Sequence, residues 1–96
     1  MAKGYWVTFY RSISNPDAVT EYAKLAGPAL QAAGAKILSR GVPAKTFESG
    51  LAQRSVVIEF ESVEKAIATF ESPAYQAAAK LLKGAAERDI RILEGL

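Results

Sequence analysis

The stretch Tyr5-Trp6-Val7-Thr8-Phe9-Tyr10-Arg11-Ser12 decides the fold when it is set beside Arg54-Ser55-Val56-Val57-Ile58-Glu59-Phe60-Glu61. Both runs are rich in aromatic and β-branched residues and alternate in character, the pattern of strands with two unlike faces. One face is read as Val7, Phe9, Val56, Ile58 and Phe60, apolar throughout. The other is read as Trp6, Thr8, Tyr10, Val57, Glu59 and Glu61, which mixes rings, a hydroxyl and carboxylates. Too apolar for water and too polar for an ordinary core, this second face reads as the wall of a pocket or of a subunit interface.

Outward from these strands, Asn15 offers an oxygen to a helix start, Pro16 suits the first helical position, and Asp17 favours the positive end of the dipole. The apolar stripe Val19, Tyr22, Ala23, Ala26, Leu30, Ala33 follows at helical spacing and ends at Gly34, with a kink expected at Gly27-Pro28. Ala35 to Gly41 reads as the second strand. The connection Val42–Gln53 is longer than a hairpin loop and so points to function or an intersubunit contact. Ser62 caps a second helix carrying Val63, Ala66, Ile67 and Phe70, and Ser72-Pro73 breaks and restarts it before Tyr75. The Ala-rich stretch Ala74–Ala86 is expected to continue that helix, and Arg88 to Glu94 forms the last strand, with Ile90 and Ile92 on one side and Arg91 and Leu93 on the other.

The order β-α-β-β-α-β predicts an α+β ferredoxin-like sandwich, a four-stranded antiparallel sheet with two helices on one face. The other face is left bare. Trp6, Tyr10, Val57 and Leu93 are expected there, and a second copy's sheet is the simplest cover for them.

Composition narrows the chemistry. The 96 residues fit one compact domain, 1–96, and 18 of the hydrophobic residues are alanines, leaving a modest core that oligomerisation would support. With no cysteine and no histidine, disulfides, thiolate catalysis, histidine triads and the usual zinc and haem sites are excluded. A formal charge of +2 with scattered signs gives no field for a polyanion, and the apolar run Tyr5–Tyr10 is too short for a membrane span or leader. A cytoplasmic protein is expected, with no nucleic acid or membrane partner, no metal and no cofactor. An RNA-recognition module shares the element order, but the outward set Ser55, Val57, Glu59 and Glu61 repels phosphate, so RNA binding is a minor alternative.

Gly4-Tyr5, Tyr22, Gly34 leading to Leu38, Arg40-Gly41, Val57-Ile58-Glu59-Phe60, Ser72-Pro73-Ala74-Tyr75-Gln76, Ala85-Ala86 and Glu94-Gly95 together resemble the family called domain of unknown function 1330, over nearly the whole chain. Ala35, Leu82 and the loop Glu48-Ser49-Gly50 depart from that family's pattern. The resemblance implies a dimeric α/β barrel, a homodimer whose sheets face one another around a cavity. It also implies a small organic ligand there, by analogy with related monooxygenases, isomerases and lactone-processing enzymes.

The candidate residues carry alternatives. Arg40, at a strand end beside the long loop, can hold a carboxylate or enolate, or pair structurally with Glu48 or Glu59. Ser72 and Tyr75 at a helix start can receive an anion, with the Tyr75 hydroxyl as donor or weak acid, or simply cap and pack. Tyr22 is a ligand contact or a core aromatic. Glu59, with Glu61 beside it, is a candidate base for taking a proton next to a carbonyl, or is solvated or paired with Arg91. Catalytic roles are thus expected of Arg40, Glu59 and Tyr75, and ligand contacts of Trp6, Tyr10, Tyr22 and Ser72. The expected function is binding of a carbonyl, enol or lactone compound between sheet faces, with turnover as a cofactor-independent monooxygenase- or isomerase-like enzyme or, alternatively, a non-catalytic binding or structural homodimer.

Overall fold

A computed structural model describes residues 2–96. The chain runs β1 (Gly4–Ile13), α1 (Pro16–Ala32), β2 (Lys36–Gly41), β3 (Ser55–Phe60), α2 (Val63–Phe70), α3 (Pro73–Ala79), a 3₁₀ turn (Lys80–Leu82) and β4 (Ala86–Glu94). The strands form an antiparallel sheet in the order β2-β3-β1-β4, with the helices on one side. This is the expected ferredoxin-like α+β sandwich; the single chain's sheet is open and does not close into a barrel.

Local chemistry sets the boundaries. The Asn15 side chain accepts from the amide of Ala18 with Pro16 next in line, and α1 runs as one element through Pro28 to the left-handed Gly34. Ser62 caps α2 by accepting from Lys65, and Ser72-Pro73 splits the second helical layer into α2 and α3. The expected continuation to Ala86 stops short. After Ala79 the chain tightens into the 3₁₀ turn, and Gly84, at φ 76°, turns it into β4.

The register overturns one expectation. Gly4 pairs with Phe60, Trp6 with Ile58 and Thr8 with Val56, so the even residues of β1 share the helix side with the even residues of β3. Trp6 and Tyr10 are 1 % and 3 % exposed within the single chain, not displayed on the bare face. The bare face carries Tyr5, Val7 and Phe9 instead, opposite Glu59, Val57 and Ser55, with Leu93 beside Tyr5 as expected. Both sides of β1 are amphipathic, so alternation alone leaves its orientation open. Gly4 settles it, because a Cβ there would strike the backbone of Ser62 and Val63 where α2 begins, forcing this parity against the helices.

Beneath the helices, Trp6, Phe60, Phe70 and Tyr75 form an aromatic cluster, with ring centroids 4.9 Å apart for Trp6 and Tyr75 and 5.9 Å for Trp6 and Phe60. Ala26, Leu30, Ile58, Ala66 and Ala78 complete this core. A second cluster of Tyr10, Val19 and Leu82 sits at the other end of α1. No helix among the described residues is long and apolar enough to cross a membrane.

Candidate functional site

Between α1 and the helix side of the sheet the two clusters leave a cleft. Its floor is Trp6, Thr8 and Tyr10 from β1 with Val56 and Ile58 from β3, and its roof is Val19, Tyr22, Ala26 and Leu30 from α1. Three arginines border it, Arg40, Arg54 and Arg88, and among the described residues no acidic residue does. The enclosed space is about 60 Å³, well below the ~150 Å³ apolar cavity that admits benzene, so any occupant lodged wholly inside is small.

Arg40 reaches this cleft because β2 is irregular. Ile37 pairs with Ile58, Ser39 with Val57 and Arg40 with Val56, so Leu38 is an extra residue that reverses the side on which the following side chains fall. In a regular strand Arg40 would lie on the side opposite Ile37. A matching irregularity in β1 between Tyr10 and Ser12 returns Ile13 to the helix side opposite Ala86. Arg40 makes no ion pair with Glu48 or Glu59, and the ion pairs among the described residues are Arg11–Asp89, Lys24–Glu21 and Arg91–Asp89.

Arg88 is the anchor of the site, and no motif in the sequence singles it out. It pairs with Tyr10 across β1 and β4, and its Nη1 donates to the Tyr75 hydroxyl at 2.9 Å and to the Tyr22 hydroxyl at 3.2 Å. Those two hydroxyls are themselves 2.6 Å apart. The guanidinium lies 5.1 Å from the Tyr22 ring centroid and 5.9 Å from that of Tyr10, within reach of cation–π attraction. Its parity with Ile90 and Ile92, already assigned to one side of the last strand, was the signal that it faces the helices. Arg54 stands on the other flank of Tyr10, whose amide donates to the Arg54 carbonyl at 3.0 Å.

The electrostatics follow from burial. Burial, reinforced by Tyr75, pushes the Tyr22 hydroxyl far above the ordinary tyrosine value despite the opposing pull of Arg88. Burial likewise raises Tyr10, against Arg88 and Arg54. Burial works against the charge of Arg88, but the oxygens of Tyr75 and Tyr22 outweigh it and keep the group cationic. The cleft therefore presents fixed positive charge and neutral hydroxyl donors. Thr8, 3 % exposed, accepts from Trp6 Nε1 at 2.8 Å and has no acceptor for its own hydroxyl hydrogen among the described residues.

The other nominated residues are placed elsewhere. Tyr75 is fully buried and meets Arg88 and Tyr22 rather than a docked anion. Ser72 accepts from the Tyr75 amide at 3.2 Å and donates to the Thr69 carbonyl at 2.7 Å, so its hydroxyl is spent on the cap and does not line the cleft. Glu59 is on the opposite face, accepting from the Tyr5 hydroxyl at 3.1 Å, while Arg91 pairs with Asp89. The expected trio is thus divided by the sheet, with Arg40 and Tyr75 on one side and Glu59 on the other. Glu61 lies just beyond β3 and is exposed. The long loop exposes Val42, Phe47 and Leu51. No group of acidic residues that could hold a metal ion occurs among the described residues.

Fold and cleft together define a small ferredoxin-like protein with a basic, aromatic-walled hollow under its first helix. The chain belongs to the family Domain of unknown function (DUF1330), which it matches over residues 3–96. No curated protein matches it in sequence. Among solved structures it is similar to a protein of unknown function from Rhodopseudomonas palustris, with TM-score 0.72 and 17 % identity over 99 % of this chain and 83 % of that one. It is also similar to a dimeric protein of ferredoxin-like fold from Bacteroides fragilis, with TM-score 0.63 and 15 % identity over 97 % and 95 % of the two chains. A candidate antibiotic biosynthesis monooxygenase from Nitrosomonas europaea aligns with TM-score 0.58 and 13 % identity over 98 % and 90 %. At these identities the likeness concerns the fold.

Proposed function

We propose that this protein is a cytoplasmic, single-domain homodimer that binds a small organic anion, of the carboxylate or enolate type, in the cleft beneath α1. The observation that carries the reading is the meeting of Arg40, Arg54 and Arg88 on one aromatic-walled cleft that contains no carboxylate. Arg54 and Arg88 are half-buried with no acidic partner among the described residues, a cost that an anion would offset, Arg40 stands exposed at the mouth, and the planar forks of all three suit a carboxylate. This moves the expected ligand from the space between two sheets to the helix side of one. The homodimer is supported by the dimeric, ferredoxin-like Bacteroides fragilis structure and by the apolar residues of the bare face, where Phe9 and Leu93 are 43 % and 53 % exposed.

A second reading, turnover of an enolisable ligand without a cofactor, is favoured by the Tyr22–Tyr75 hydrogen bond beside Arg88, a neutral proton donor next to a fixed cation. In it Glu59 takes no part, because it faces away from the cleft.

Titration calorimetry with a panel of short carboxylic acids, enols and lactones tests binding. Saturable binding by an acid or enol, reduced at least tenfold in Arg88→Met, supports the reading. No binding by any member refutes it. Incubating the ligands that bind with the protein and analysing the products then separates enzyme from binder.

A further inference from the structure

We infer that the ligand of this cleft is a small dianion, a short dicarboxylate or a carboxylate–enolate, with one anionic group on Arg88 and the other between Arg40 and Arg54. This rests on the anion-binding reading above and specifies its ligand.

Among the described residues none of the three guanidinium groups has an acidic partner, whereas Arg11 and Arg91 on the other side of the sheet share Asp89. Against three cationic side chains a monoanion leaves two charges without an acidic partner, whereas a dianion leaves one.

The cations also form two separate points of attachment. Arg88 rises from β4 at one edge of the sheet and Arg40 from β2 at the other, three strand spacings or about 14 Å apart in backbone terms. The Arg88 head cannot swing across, because Nη1 is held by the Tyr22 and Tyr75 hydroxyls where α1 meets α3. Its Nε and Nη2 hydrogens meet no carboxylate or carbonyl among the described residues, the nearby Tyr10 hydroxyl being a neutral neighbour, and a guanidinium edge of this kind forks onto a carboxylate. At the mouth, Arg40 is exposed and Arg54 half-buried, neither side chain hydrogen-bonded among the described residues, so both are free to close on a second anionic group. Between the two points lie the Thr8 hydroxyl, with a hydrogen to donate, and the apolar walls of Val56 and Ala26. A short chain with a polar atom along it fits this arrangement, and the small enclosed volume limits its length.

The test compares malonate, succinate and glutarate with the length-matched propionate, butyrate and valerate, titrated calorimetrically into the full chain at constant ionic strength. The proposal requires at least one diacid to bind tenfold or more tightly than its monoacid. It also requires that advantage to vanish in Arg40→Gln/Arg54→Gln while monoacid affinity changes less than threefold. If monoacids bind as tightly as diacids, the dianion is refuted and anion binding stands. If no acid of either kind binds, both fall. A preference for diacids that survives intact in the double variant refutes the assignment of the second anionic group. Because the comparison within the unaltered chain is decisive alone, poor folding of the variant does not remove the test.

Discussion

The hydroxyl oxygens of Tyr22 and Tyr75 lie 2.6 Å apart, joining α1 to α3, and both accept from the same nitrogen of Arg88 on β4. One polar triangle thus ties two helices to the sheet edge at the deep end of the cleft. Removing either hydroxyl leaves the other group and Arg88 short of a partner. Tyr22→Phe and Tyr75→Phe are each expected to cost about 1–2 kcal/mol in urea unfolding, with a coupling of at least about 0.5 kcal/mol in the double variant. Strictly additive losses would show that the triangle does not act as a unit.

The same burial makes the protein sensitive to alkali. Tyr22 is held neutral in the fold, its pKa raised above the ordinary 10.0, so the stability this contributes is fully present below the unfolded tyrosine value. That stability is lost as pH rises toward the folded one. Above about pH 10 stability should fall by up to about 1.4 kcal/mol per pH unit for this residue. Urea midpoints measured from neutral to strongly alkaline pH, with tyrosinate absorbance followed in parallel, check this. Tyrosinate appearing well before unfolding in all four tyrosines would contradict the buried state.

Gly4 is a packing requirement rather than a turn. A Cβ there would come within 2.6 Å of the Ser62 carbonyl carbon and 2.7 Å of the Val63 nitrogen, both backbone atoms. Gly4→Ala is expected to destabilise by about 1–3 kcal/mol, the range for overpacking a tight site. A thermal midpoint equal to that of the unaltered chain would mean that α2 shifts without penalty.

The same residues divide into those whose placement the sequence makes legible and those whose placement only tertiary pairing decides. Caps at Asn15, Ser62 and Ser72 fix helix starts because a single side chain satisfies an orphan amide locally. Element order and fold follow from them and from β3, whose two sides differ sharply. The direction of β1 did not follow, since Trp6, Thr8 and Tyr10 are no more apolar as a set than Tyr5, Val7 and Phe9, and the choice falls to the close approach of Gly4 to Ser62 and Val63 and to the pairing with Phe60 and Ile58 that goes with it. Nor did the extra residue Leu38, which carries no turn residue to announce it and yet determines that Arg40 faces the cleft. The basic cluster is assembled from β2, β4 and the residue just before β3, and only the fold brings its members together.

Placement on opposite faces separates two of the nominated catalytic residues. Arg40→Ala is expected to weaken binding of a short diacid about tenfold, in keeping with the ~1.5–3 kcal/mol of a hydrogen bond to a charged group less its exposure to water. Glu59→Gln, across the sheet, should leave that affinity within about twofold, since distant sites act independently. Calorimetric titration of both variants decides the matter. A large effect of Glu59→Gln would place the ligand on the bare face after all.

The bare face itself invites the last experiment. Val7 sits at its centre on β1, between Val57 of β3 and Arg91 of β4, and points away from the helices. Replacing it with lysine adds a cation beside Arg91 where a second sheet would lie. The chain's own core is untouched, so stability should change by no more than about 0.5 kcal/mol. Sedimentation of the unaltered protein at micromolar concentration should give twice the 10.3 kDa chain mass, and Val7→Lys should give the single-chain mass with unchanged far-ultraviolet circular dichroism. If the unaltered protein sediments as one chain, this face is simply solvated. If the lysine variant remains a dimer, the copies meet through another surface, and the exposed Val42, Phe47 and Leu51 of the β2–β3 loop become the next place to substitute.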